Sequence, residues 1–209
     1  MEKKKPYFDA SWINKLESRM LWNFYWMQQK IMESHIKKDD FLVELGVGSG
    51  FCSNYLKSRG YNIQTIDIDA DKNPDVVCDA TNWKPEKSFN GFLAFQVFEH
   101  MPFETFEKTI QNVSRSNIEY LYVSVPYNKM SKKIVFRGNV YLAKLGNFDL
   151  DIRWPFWGKA KIKNKSHLWE LGDGRISTQK YYDVYLNAGY KLLDSQIVSY
   201  AQFNVFQLK

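Results

Sequence analysis

Cysteine is scarce in this chain: Cys52 and Cys78 stand apart with no CxxC pair, so they read as free, buried thiols in a reducing compartment rather than as a disulfide framework. Histidine is nearly as rare. His35, His100 and His167 show no metal-ligand spacing in sequence, and no metal centre is expected from them. No apolar run approaches the ~18 residues that a membrane-spanning helix needs. The opening MEKKKPYFDA carries charge without the hydrophobic stretch of a secretory leader, and a cytoplasmic location is the expectation. Acidic residues are missing from one place in particular. Between residues 126 and 165 ten Lys or Arg stand against Asp149 and Asp151 alone, a local excess of +8 in a chain of net charge +6, so the remainder is slightly acidic. Such a stretch suits phosphates, an anionic membrane surface or an acidic small substrate; the alternative is a lysine-rich solvated face.

What is present is the composition of one globular domain. A chain of 209 residues with 44% hydrophobic and 25% charged residues has the apolar content for a single core and too much of it for a disordered chain. The organising segment is FLVELGVGSG at 41–50, followed by FCSNYLKSRG. A strand-like run ends in Gly46, Gly48 and Gly50 at alternate positions, after which the pattern turns helical. Glycine permits positive φ there and lets a ligand approach the main chain. A G-x-G-x-x-G dinucleotide fingerprint needs its third glycine one place later, where Phe51 stands; the turn therefore suits a ligand that brings no pyrophosphate. With Glu44 two residues upstream of the first glycine, the segment resembles motif I of the class I S-adenosylmethionine-dependent methyltransferases.

The resemblance implies an α/β fold: a Rossmann-like, seven-stranded, mostly parallel sheet of order 3-2-1-4-5-7-6, with an N-terminal helix and a lid inserted after strand 5, all in one domain spanning 1–209. The chain divides accordingly. A helix at 11–36 places Ile13, Leu16, Met20, Phe24, Met27 and Ile31 on one face and leaves Trp12, Trp22, Tyr25 and Trp26 to pack on something else. Strands are predicted at 41–45, 61–68, 75–78, 89–95 and 118–126, with helices at 51–58 and after Pro102, and with too little chain around Asn73-Pro74 for a crossover helix. Residues 127–166 form a basic, aromatic insertion with a short helix at 134–145, expected to act as a substrate lid. Ser177 caps a last helix, and 191–200 with 202–208 form a closing hairpin.

Asp67, at the exit of the second strand, is positioned to accept hydrogen bonds from both ribose hydroxyls of a nucleoside cofactor, with Asp69 as second choice. The resemblance further implies S-adenosylmethionine as cofactor, with Glu44 and the three glycines along it. Asp79 would meet the adenine amine beside Ala80, Trp83 or the apolar residues after the glycines would cover the ring, and Gln96 would face the methionine part. QVFEHMP at 96–102 and HLWELG at 167–172 resemble elements of the small-molecule and ubiquinone-type subgroup. There His167, Glu170 and His100 are the candidates for proton transfer or substrate orientation. Alternatively His167 only pins its loop to Glu170, His100 caps a helix and Glu99 pairs locally.

Methyl transfer from a sulfonium is an in-line displacement that needs neither triad nor metal, because alignment supplies much of the rate. The NPPY or DPPY signature of nucleobase amino methylation is missing after the fourth strand, as is a Pro-Cys pair for base C5 chemistry. A small-molecule acceptor is therefore the expected partner. An RNA acceptor gripped by the insertion, a peripheral contact with an anionic membrane and a non-catalytic binding module on the same fold are the alternatives.

Overall fold

The computed structural model describes residues 18–128, 131–140, 146–155 and 164–209. The first element is helix α1 (Arg19–Glu33), started by Ser18, whose hydroxyl accepts from the Leu21 amide. The part of the expected helix before Ser18, with Trp12, Ile13 and Leu16, lies outside the described residues. Then follow β1 (Phe41–Leu45), α2 (Phe51–Ser58), β2 (Asn62–Asp67), the short β3 (Val76–Val77), β4 (Gly91–Phe95), α3 (Phe103–Arg115) and β5 (Tyr120–Pro126). After β6 (Ser131–Val140) and β7 (Gly146–Pro155) come α4 (Thr178–Asn187), β8 (Tyr190–Val198) and β9 (Ala201–Leu208).

Seven strands form one sheet in the order β3-β2-β1-β4-β5-β9-β8. With β8 and β9 taken as sixth and seventh, this is the expected 3-2-1-4-5-7-6. β1 to β5 run parallel to one another, and β9 is antiparallel to both β5 and β8. The central strands read as continuous apolar runs because both faces are covered. On one face Phe24, Met27 and Ile31 of α1 and Leu56 of α2 close over Leu42, Leu93, Tyr122 and Phe203. On the other, Phe106 and Ile110 of α3 with Tyr181 and Tyr185 of α4 pack over Val43, Phe92 and Val123. Gly91, a weak point by strand propensity, is where β4 passes closest to its neighbours: a methyl group there would lie 2.8 Å from Leu42 Cδ2 and 3.2 Å from the Tyr122 ring.

Two expectations fail. Between β2 and β3 the chain makes only a 3-10 turn at Ala70–Lys72, as the short connection predicts, but Trp83 does not face a ligand. It is 5% exposed and packs at 5.8 Å from Phe89 and 6.2 Å from Phe92, an apolar environment that holds a large ring more firmly than a loop surface would. The second failure is the helix at 134–145. The backbone from 131 to 140 is strand β6, paired antiparallel along its whole length with β7 in a separate two-stranded sheet, Ile134 opposite Ile152 and Phe136 opposite Leu150; residues 141–145 are outside the described set. The partner explains the outcome: 147–154 reads NFDLDIRW, a strict alternation that is a strand signal, and cross-strand pairing overrides the weak helical preference of KKIVFR.

Candidate active site

The glycine turn is held open from below and behind. Gly46, Gly48 and Gly50 have φ of 80°, 55° and 73°, in the left-handed region that a Cβ disfavours. A methyl group on Gly46 would fall 2.5 Å from Val97 Cγ2, while at Gly48 it would meet nothing within 4 Å. Gly46 thus admits the chain after β4, and Gly48 borders empty space. Beneath the loop Glu44 is buried among the first residues of α2, hydrogen-bonded to Ser53 and Cys52, and desolvation raises its carboxyl to about 7. The sequence placed Glu44 along the cofactor; the structure places it as a support under the loop, with Oε2 lacking a hydrogen-bond partner among the described residues.

Asp67 ends β2 beside this loop. Its Oδ2 accepts from the Val47 amide at 2.9 Å and its Oδ1 from the Asp69 amide at 2.9 Å, which fixes the carboxylate and leaves each oxygen a further lone pair. Asp69 turns to cap the following 3-10 turn, accepting from Asp71. Next to Asp67, Ile68 is 72% exposed. An apolar side chain left open at a strand exit is the surface a planar ring could cover, and it went unnoticed in the sequence because one isoleucine at the end of an alternating strand carries no pattern of its own. Across from it, Asp79 is exposed and folded into a local turn, its Oδ1 accepting from the Thr81 amide and hydroxyl, which lowers its pKa. Ala80 is half-buried against the core. A nucleoside with a sulfonium-bearing chain fits this donor and acceptor set: an open backbone cradle, a fixed carboxylate and an apolar platform at the carboxyl ends of parallel strands.

The second half of the site lies beyond β4. Gln96 has φ of 59°, its amide nitrogen donating to Ser124 Oγ at 3.1 Å and its main-chain N–H to Ser124 O at 2.9 Å. A 3-10 turn at Phe98–His100 follows. HLWELG is laced onto it from 67 residues further along: Leu168 N donates to Glu99 O at 2.7 Å, Trp169 Nε1 donates to Met101 O at 3.0 Å, and Leu171 N donates to Pro126 O at 3.0 Å. His167 Nδ1 donates to Glu170 Oε1 at 2.6 Å, and Asn128 Nδ2 donates to Glu170 Oε2 at 2.8 Å. His100 does not cap a helix; its Nδ1 meets Ser166 O at 3.2 Å, and its ring stands edge-on to that of His167 with centroids 5.0 Å apart. Burial and the neighbouring His167 lower the His100 pKa. Glu99 has no local ion pair among the described residues: it is fully buried, and desolvation raises its carboxyl to about 8.

Comparisons with known proteins identify the architecture. No protein-family model matches the chain. The chain is similar to Burkholderia thailandensis 1,6-didemethyltoxoflavin-N1-methyltransferase, solved with S-adenosylhomocysteine, at TM-score 0.58 and 12% identity over 96% of this chain and 86% of that one. It is similar to Synechocystis PCC 6803 magnesium protoporphyrin IX methyltransferase, solved with S-adenosylmethionine, at TM-score 0.58 and 10% identity over 90% and 81% of the two chains. The chain therefore has the class I S-adenosylmethionine-dependent methyltransferase fold. Among curated sequences it is 28% identical over 111 residues to ribosomal RNA small subunit methyltransferase A of Francisella tularensis, a stretch that is 52% of this chain and 38% of that relative.

Proposed function

We propose that this protein is an S-adenosylmethionine-dependent methyltransferase acting by direct displacement on a small-molecule acceptor. The observation that carries the reading is the cradle at Gly48 set beside the fixed Asp67 carboxylate, at the carboxyl ends of β1 and β2 in this fold. When bound, the cofactor supplies a methyl group on a positively charged sulfur. The chain's residues then have to bind, align and exclude water. Asp67 holds the ribose, the amides of the glycine turn and Gln96 lie along the amino-acid part, and Ile68 with Asp79 and Ala80 takes the base. Held there, the cofactor would present its methyl group in line with the acceptor's lone pair, and His167 or His100 would take the proton that the acceptor loses. His167, oriented by Glu170, and His100 lie on the side where the acceptor would enter.

The insertion at 127–166 fits a lid over that side. Its two ends are tied together at the carboxyl end of β5, where Leu171 N donates to Pro126 O at 3.0 Å and Asn128 N donates to Leu171 O at 2.7 Å. A compact enclosed acceptor follows from such a cover. Two of the similar structures are methyltransferases named for small acceptors, 1,6-didemethyltoxoflavin and magnesium protoporphyrin IX. Labelled methyl from S-adenosylmethionine is expected to enter a metabolite extract and to be unaffected by nuclease; labelling confined to RNA would overturn the acceptor class.

One observation favours a second reading: the Francisella relative is a ribosomal RNA methyltransferase, and the insertion is basic and aromatic. The chain after β4 reads QVFE in place of an amino-methylating signature, which is why RNA ranks second. A peripheral contact of the insertion with anionic lipid is checked by vesicle sedimentation, where cosedimentation that vanishes at high salt is the supporting outcome. Among the described residues no helix is long and apolar enough to cross a membrane; the two free cysteines support a reducing, cytoplasmic setting.

A further inference from the structure

Sequence spacing predicts no metal centre, yet the fold brings together ligands from two distant segments. One ligating atom from each of Glu99, His100 and His167 lies within 4.8 Å of the other two. The two histidines are already oriented as metal ligands usually are, with one ring nitrogen held by a carbonyl or a carboxylate. His100 Nδ1 donates to Ser166 O and His167 Nδ1 donates to Glu170 Oε1, which assigns both lone pairs to Nε2. Glu170 is itself fixed by Asn128. The independent observation is Glu99: it is fully buried, and neither carboxylate oxygen has a hydrogen-bond partner among the described residues. A buried carboxylate without a partner is costly, and a dication beside two imidazoles would remove that cost.

We infer that Glu99, His100 and His167 form a binding site for a divalent first-row transition metal, with Glu170 as the residue that orients His167. Two imidazoles and one carboxylate suit Zn²⁺, Co²⁺, Ni²⁺ or Mn²⁺ better than a purely oxygen-binding ion, and three protein ligands leave positions open. For bonds of ~2.1 Å the donors of a tetrahedral ion stand ~3.4 Å apart, so from their present limit of 4.8 Å the ion draws them together by at most about 1.4 Å. Both contributing segments, the 3-10 turn and the loop at 164–170, lie outside regular helix and strand. At His167 a hydrogen bond has to yield: Asn164 Nδ2 now sits 2.8 Å from His167 Nε2. Because Glu99 and His100 follow Gln96 and Val97, the latter against Gly46, the open positions adjoin the glycine cradle. They would take an oxygen of the acceptor, a hydroxyl or carboxylate. That acceptor class rests on the methyltransferase reading; the metal site does not.

The test is titration of the untagged full chain with Co²⁺, read by visible absorption and calorimetry, with S-adenosylhomocysteine titrated separately. One Co²⁺ per chain is expected, displaced by Zn²⁺, with affinity reduced at least tenfold in His100→Asn, His167→Asn and Glu99→Gln. Asn164→Ala, which keeps all three ligands and removes the competing hydrogen bond, is expected to tighten Co²⁺ severalfold and serves where a ligand variant fails to fold. No Co²⁺ bound by wild type, or binding unchanged in both histidine variants, overturns the site, as does weaker binding in Asn164→Ala. S-adenosylhomocysteine binding without Co²⁺ binding would refute the metal site and leave the methyltransferase reading standing; the reverse would refute that reading and support the site.

Discussion

The two halves of the site are built by different means. The cofactor half, Glu44 to Asp67 with the glycine turn between, comes from one strand–turn–helix–strand unit, and its working parts are main-chain geometry: three positive φ values and a carboxylate held by two amides. The proposed acceptor half draws on side chains from two segments, 96–100 and 164–171, joined by tertiary contacts such as Leu168 N to Glu99 O and the His100–His167 ring contact. A half built from backbone is rigid and demands glycine; a half built from borrowed side chains can be altered residue by residue without loss of the fold.

Gly46→Ala should break the first half most severely. Left-handed φ costs ~1–2 kcal/mol for an added Cβ and the 2.5 Å approach to Val97 adds overpacking of ~1–3 kcal/mol, so a stability loss of about 3 kcal/mol is expected in urea unfolding, with cofactor binding lost as well. Glu44 gives the next largest effect, through pH. Its carboxyl titrates near 4.5 when unfolded and near 7 in the burial of the folded state, so between those values the folded protein keeps a proton that the unfolded chain has released. Stability from this group therefore falls as pH rises from about 4.5 to about 7, by on the order of 3 kcal/mol, and is level above. Glu44→Gln should flatten that slope; urea midpoints measured across the window that still fall as steeply would count against a buried, neutral Glu44.

The acceptor half is expected to behave otherwise. His167→Gln should leave S-adenosylhomocysteine affinity within about threefold of wild type while turnover drops about a hundredfold; equal losses in both would erase the division between halves. The smallest and sharpest change is Gly48→Ala. With no atom within 4 Å of the added methyl, its cost in stability is only the ~1–2 kcal/mol of left-handed φ, yet cofactor affinity should fall at least tenfold because that empty space is where the ligand lies. A variant that binds normally would put the cradle elsewhere.

The same contrast explains what could be read from the residues in order. Gly46, Gly48 and Gly50 are legible because a positive φ leaves its mark on residue type, and the central strands show as apolar runs at 41–45, 91–95 and 120–126, while their order came from the family resemblance of the glycine turn. Ser177 and Gly189 marked the last helix because a cap also has a residue signature. The approach of His100 to His167 left no such mark, since two single histidines 67 positions apart carry no period. Nor did the orphaned Glu99, whose burial depends on HLWELG folding back over the turn. In the insertion the alternation of NFDLDIRW was present but hidden among lysines, and the surrounding composition drew attention to charge instead of to period.

The most direct test of the central claim is calorimetric titration of S-adenosylhomocysteine into wild type and Asp67→Ala. Roughly micromolar binding by wild type, weakened at least tenfold in a variant that still unfolds cooperatively, is the predicted result. Absence of binding to folded wild type, or equal binding by Asp67→Ala, would contradict the assignment of this cradle to the cofactor.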